Sequence, residues 1–85
     1  MNINEIRKLT YTKLKEEVVS LEEYKNVCSK IHESASKGEK SCKLYLTYSS
    51  ESVLMNEKVC DYLRYEGFKC GLFGADKTMS LSVSW

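Results

Sequence analysis

His32 is the only histidine in this chain of 85 residues, and Cys28 stands one helical turn before it. A histidine beside a thiol could in principle form an activated nucleophile. That chemistry also needs a third group to orient the base and donors for a developing oxyanion. Lys30 and Glu33, which flank the histidine, supply neither. The acids Asp61, Glu66 and Asp76 are scattered rather than paired. Cys42, Cys60 and Cys70 form no C-x-x-C pair and have no histidine beside them, so zinc ligation is not expected. Each cysteine falls on the apolar side of its expected element and reads as a small buried hydrophobe. No catalytic residue, metal or cofactor is expected, and the chain reads as a non-enzymatic one.

Three stretches have the residue types for binding. Tyr48-Ser49-Ser50-Glu51 places backbone N–H groups and two hydroxyls at the start of an expected helix, where an anion could sit. An ordinary helix cap is the simpler reading, and Glu51 works against an anion. Gly71-Leu72-Phe73-Gly74 has the G-x-x-G spacing of KH loops, but it enters a hairpin turn rather than joining two helices. Finally, Tyr45 and Phe73 fall on the polar side of the expected sheet with Lys43 and Lys69 near them. Aromatics and lysines on a wet sheet face could stack a nucleotide, and a subunit interface, where tyrosine and tryptophan are enriched, is the favoured reading.

The elements that position these residues follow from apolar periodicity. Leu14, Val18, Leu21, Tyr24, Cys28, Ile31 and Ala35 recur in steps of three or four with charges between them, a helical stripe. Ile3, Ile6 and Leu9 extend it backwards, giving a long N-terminal helix over about residues 4–37 that Gly38 closes. As one rod it would be about 50 Å long, against a radius of gyration of about 12 Å for a compact domain of this size. The helix must therefore break, or project and find a partner. Thr10-Tyr11-Thr12, poor in helix propensity, is the expected kink. The step of three from Leu21 to Tyr24, after another of three, is a slip in the heptad phase.

Cys42, Leu44 and Leu46 alternate with Lys43, Tyr45 and Thr47, the period of a half-buried strand. A second helix over about residues 51–66 follows, ended by Gly67 with Phe68 placed for the apolar contact of a Schellman cap. Phe68, Cys70 and Leu72 begin a hairpin that turns at Gly74-Ala75-Asp76-Lys77. Met79, Leu81, Val83 and Trp85 then alternate with Ser80, Ser82 and Ser84, a strand wet on one side. The expectation is one small α+β domain. A long N-terminal helix precedes strand-helix-strand-strand over about residues 41–85. Its three-stranded antiparallel sheet has the last strand central and helix on one face.

Composition bounds the rest. Thirteen basic and twelve acidic residues give a formal charge of +1, so nothing global favours nucleic acid, which is the least expected partner. No apolar run approaches the length of a membrane span, and Met1-Asn2-Ile3-Asn4-Glu5 lacks the order of a signal peptide. A cytoplasmic protein is expected. A chain this short buries little surface, and oligomerisation is the usual supplement. The surplus of the helical stripe, Leu14, Val18, Leu21 and Tyr24, together with Trp85 at the end of the last strand, is the expected homo-oligomer surface. If a ligand binds instead, Lys43, Tyr45, Tyr48, Ser49 and Lys69 are the expected contacts.

The chain resembles a class of very small proteins encoded by tailed bacteriophages. The matching stretches are Ala35-Ser36-Lys37-Gly38-Glu39-Lys40-Ser41, Leu63-Arg64-Tyr65-Glu66-Gly67-Phe68 and the closing Ser84-Trp85. These are caps and core positions, so the resemblance transfers no catalytic residue. It implies a phage accessory protein acting in the host cytoplasm. Proteins of that kind often block host functions, and several inhibit CRISPR, Thoeris or CBASS defence by binding a defence protein or sequestering its nucleotide signal. The expected function is inhibition of a host protein or defence system through protein–protein contact as a homo-oligomer. The alternatives are a nucleotide sponge and a nucleic-acid-binding accessory protein.

Overall fold

The structure is a computed structural model that describes residues 2–47, 49–75 and 78–85. Its elements run α1 (Ile3–Val18), α2 (Glu22–Ser36), β1 (Ser41–Thr47), α3 (Ser50–Tyr65), β2 (Lys69–Ala75) and β3 (Thr78–Ser84). The α+β architecture is the expected one, with a three-stranded antiparallel sheet in the order β1-β3-β2. β3 is central, as expected, and its apolar–serine alternation fits a sheet covered on one face only. The radius of gyration is 13.5 Å.

The long helical stripe resolves into two helices. α1 ends at Val18 and α2 starts at Glu22, with Leu21 extended at φ −73° and ψ 139° between them. The break therefore lies at residues 19–21 and not at Thr10-Tyr11-Thr12. Thr10 and Thr12 donate their hydroxyls to the Ile6 and Lys8 carbonyls, and Tyr11 stacks on Tyr62 at 5.7 Å between ring centroids. Tertiary packing of Tyr11 overrides the weak local propensity of that cluster. Folding back at residue 20 lets both Val18 and Val27 bury completely. It also resets the helical phase, so that α2 buries Val27 and Ser34 while Ala35 is exposed.

The homo-oligomer surface expected on Leu14, Val18, Leu21 and Tyr24 is corrected at Val18, which lies completely buried in the core. Leu14, Leu21 and Tyr24 are half-buried at its rim. Trp85 stands edge-on to Phe68 at 6.4 Å and donates its backbone N–H to the Lys40 carbonyl, yet its side chain stays exposed at the end of β3.

Both glycine stops form as the spacing predicts. Gly38 at φ +80° and Gly67 at φ +101° occupy the left-handed position. In the second, the Phe68 N–H reaches the Leu63 carbonyl and the Gly67 N–H the Arg64 carbonyl, the paired bonds of a Schellman motif. α2 lies against β1, α3 against β2, and α1 against α3. The core between helices and sheet centres on Leu81, Val83, Val59 and Leu63.

Candidate functional site

Strand register sets what the sheet shows to solvent. Leu44, Leu81 and Leu72 are aligned across the three strands, as are Cys42, Val83 and Cys70, and these face the helices. The residues between them face outward. Tyr45, Ser80 and Phe73 form one outer row; Lys43, Ser82 and Gly71 the next; Ser41, Ser84 and Lys69 the third. The structure thus brings Lys43, Tyr45 and Lys69 onto one surface, and adds Phe73 and the serine row of β3.

Tyr45 is 81% exposed and Phe73 62% exposed, one on each edge strand with Ser80 between. The Phe73 ring leans along its own strand over Gly71, where a side chain would stand 3.2 Å from Cε2 and 3.3 Å from Cζ. A side chain at residue 71 would crowd the ring in that place. A shallow cavity of about 310 Å³ runs beside the ring, with Lys69, Gly71, Ser82 and Ser84 in its lining. A smaller one of about 130 Å³ separates Tyr45 from Phe73 over Ser80.

One expected ligand residue, Ser49, does not join this surface, and Tyr48 lies outside the described residues. Ser49 sits at the helix side, where its hydroxyl accepts from the Ser52 N–H and caps α3. The cavity beside it also contains Glu23 and Glu51, which oppose an anion there. A helix cap is the use the fold makes of Ser49.

The tyrosines divide by role. Tyr11, Tyr24, Tyr62 and Tyr65 form a ring cluster between α1, α2 and α3. The Tyr11 hydroxyl donates to Glu66 Oε1 at 2.8 Å. Hydrogen bonds from Tyr62 and Tyr11 hold the Glu66 carboxyl below the usual carboxylate range. A hydrogen bond with the Cys28 thiol, with burial second, pushes the Tyr24 hydroxyl up to about 12. Cys28 thus pairs with Tyr24, and His32 is exposed. Burial, then a hydrogen bond with Cys60, raises the Cys70 thiol, which leaves little reactive thiolate. Among the described residues, no group of three or more histidine, cysteine or acidic side chains could hold a metal.

Helices α1 and α3 enclose a groove of about 450 Å³ lined by Thr10, Leu14, Asp61, Arg64 and Tyr65. Beyond it α1 continues for two turns on which Ile3, Ile6 and Leu9 are 63, 42 and 67% exposed. No helix among the described residues is long and apolar enough to cross a membrane. Comparison with known proteins finds no family model, no curated protein and no solved structure that matches the chain. The surfaces themselves must carry the functional reading.

Proposed function

We propose that this chain is a non-enzymatic binding protein that acts through protein–protein contact and assembles as a homo-oligomer. The observation that carries the reading is the exposed stripe Ile3, Ile6 and Leu9 on the first two turns of α1. Fully burying one such side chain contributes about 1.5–3 kcal/mol relative to leaving it in water. The folded monomer forgoes most of that for three residues on one helix, and an amphipathic helix laid into an apolar groove recovers it. Self-association accordingly moves from the middle of the helical stripe to its N-terminal end. On the resemblance to phage accessory proteins, the proposed target is a host protein bound by the assembled form, so that loss of the stripe removes both assembly and capture.

The test is affinity capture from a host lysate with the wild-type chain and with an Ile3→Ser/Ile6→Ser/Leu9→Ser variant. The reading predicts a retained protein that the variant loses while keeping its circular dichroism. Equal retention by both chains contradicts it. The nucleotide-capture alternative concerns the opposite side of the molecule and stands on Lys43, Tyr45 and Lys69 alone.

A further inference from the structure

The outer face of the sheet is a different surface from the α1 stripe, and its chemistry is narrower. None of the three strands contains an aspartate or glutamate. Lys43 and Lys69 are exposed on the face, and neither is recorded in an ion pair among the described residues. Two aromatic rings flank a central row of hydroxyls. We propose that this face binds a short stretch of single-stranded nucleic acid, two bases stacking on Tyr45 and Phe73 with the adjoining phosphates on Lys43 and Lys69.

The geometry carries the proposal in three steps. Tyr45 and Phe73 are separated by two strand spacings, about 9.6 Å between backbones, with only Ser80 between them. Both rings are largely exposed, and the Phe73 ring approaches Gly71 where a Cβ would crowd it. Such a ring is a sequence-tolerant platform for a base. Lys43 lies two residues from Tyr45 along β1, about 6.8 Å, and Lys69 four residues from Phe73 along β2, about 13.6 Å. Each edge strand thus pairs one aromatic with one cation. Ser82 and Ser84 lie between the two strands as donors and acceptors for sugar and phosphate oxygens.

Polarity decides against a second copy as the occupant. A protein face laid over Ser80, Ser82 and Ser84 would have to satisfy their hydroxyls. A charged, oxygen-rich strand does so without added structure. The net charge of +1 limits the electrostatic share to the two lysines, so the binding is stacking-led and only mildly salt-dependent.

The experiment is fluorescence anisotropy of a labelled single-stranded octathymidylate titrated with the full chain, with a duplex of the same length as control. Binding of the single strand should exceed that of the duplex, with a log–log salt slope of about −1.4 for two phosphate contacts. Tyr45→Ala and Phe73→Ala should each weaken binding by about 5- to 150-fold. Lys43→Gln/Lys69→Gln should flatten the salt slope. Gly71→Ala removes no contacting group; it should weaken binding by lifting the Phe73 ring, with circular dichroism unchanged. No binding at the lowest salt, equal binding of duplex, or affinity unmoved by the aromatic variants overturns the proposal. A dimer that Tyr45→Ala/Phe73→Ala converts to monomer also overturns it, since a second copy would then cover the face.

Discussion

Arg64 donates from Nε and Nη2 to the backbone carbonyl of Cys70, at 2.9 and 2.7 Å. Its Nη1 meets Asp61 Oδ1 at 3.3 Å. Cys70 belongs to β2, an edge strand of the sheet, so a guanidinium from the last turn of α3 occupies an acceptor that another strand could otherwise use. Edge strands are commonly blunted in this manner.

Removing that clamp should have two consequences. Arg64→Ala should lower unfolding free energy by about 1 kcal/mol, the net worth of such hydrogen bonds at a solvated site, read by urea denaturation. It should also promote association through β2, read as scattering at high concentration. Arg64→Lys should rescue only part of the loss, because an ammonium cannot present the planar pair of donors.

Val18 and Ile6 offer a contrast along one helix. Val18 is completely buried and Ile6 is half exposed. Val18→Ala should cost about 2 kcal/mol from lost burial and the cavity left behind, whereas Ile6→Ala should change monomer stability by less than about 0.5 kcal/mol. Chemical denaturation of the two variants separates the part of the stripe used by the fold from the part left over.

Asn56 is buried on α3 with its Nδ2 donating to the Ser52 carbonyl at 2.8 Å and its Oδ1 without a hydrogen-bond partner among the described residues. A buried acceptor left unpaired costs about 1–3 kcal/mol. Asn56→Ala, which removes the unpaired acceptor without adding volume, should therefore change thermal stability little. Asn56→Asp should lower it sharply, by placing a charge where the acceptor already lacks a donor.

The tyrosine cluster makes stability pH-dependent at both extremes. Glu66 titrates lower in the folded chain than the usual 4.5, so its contribution is present above that value and is lost as pH falls below it. Tyr11→Phe, which removes one donor to Glu66, should weaken that acid dependence. Tyr24 titrates higher when folded, at about 12 against the usual 10. Its neutral form favours folding, so that contribution holds below pH 10 and is lost as pH rises towards 12. Tyrosinate absorbance against pH, with unfolding followed in parallel, checks both.

Much of this architecture is written locally. Gly38 and Gly67 mark both left-handed stops, and the serine alternation from Ser80 to Ser84 marks a strand wet on one face. The break at residues 19–21 is harder to read because neither glycine nor proline punctuates it. Its trace is the phase slip at Leu21, and Leu21 caps α2 with no side-chain hydrogen bond. The choice between a projecting and a folded helix depends on α3, whose Tyr62 receives Tyr11 and Tyr24 across the fold. Lys43, Tyr45 and Lys69 share a face by the period of two alone. That Phe73 joins them across Ser80 depends on strand register, and that its ring lies over Gly71 depends on side-chain packing. Ser49 caps α3 and does not share that face, because adjacency in sequence to β1 does not fix the side of the sheet on which the next residue emerges.

Assembly through the N-terminal turns of α1 is read by light scattering on the purified chain across the micromolar range. The mass should stand at a multiple of the 9.8 kDa monomer, falling to the monomer value in the Ile3→Ser/Ile6→Ser/Leu9→Ser variant with circular dichroism unchanged. A wild-type chain that stays at 9.8 kDa throughout that range, or a variant that assembles as the wild type does, contradicts it.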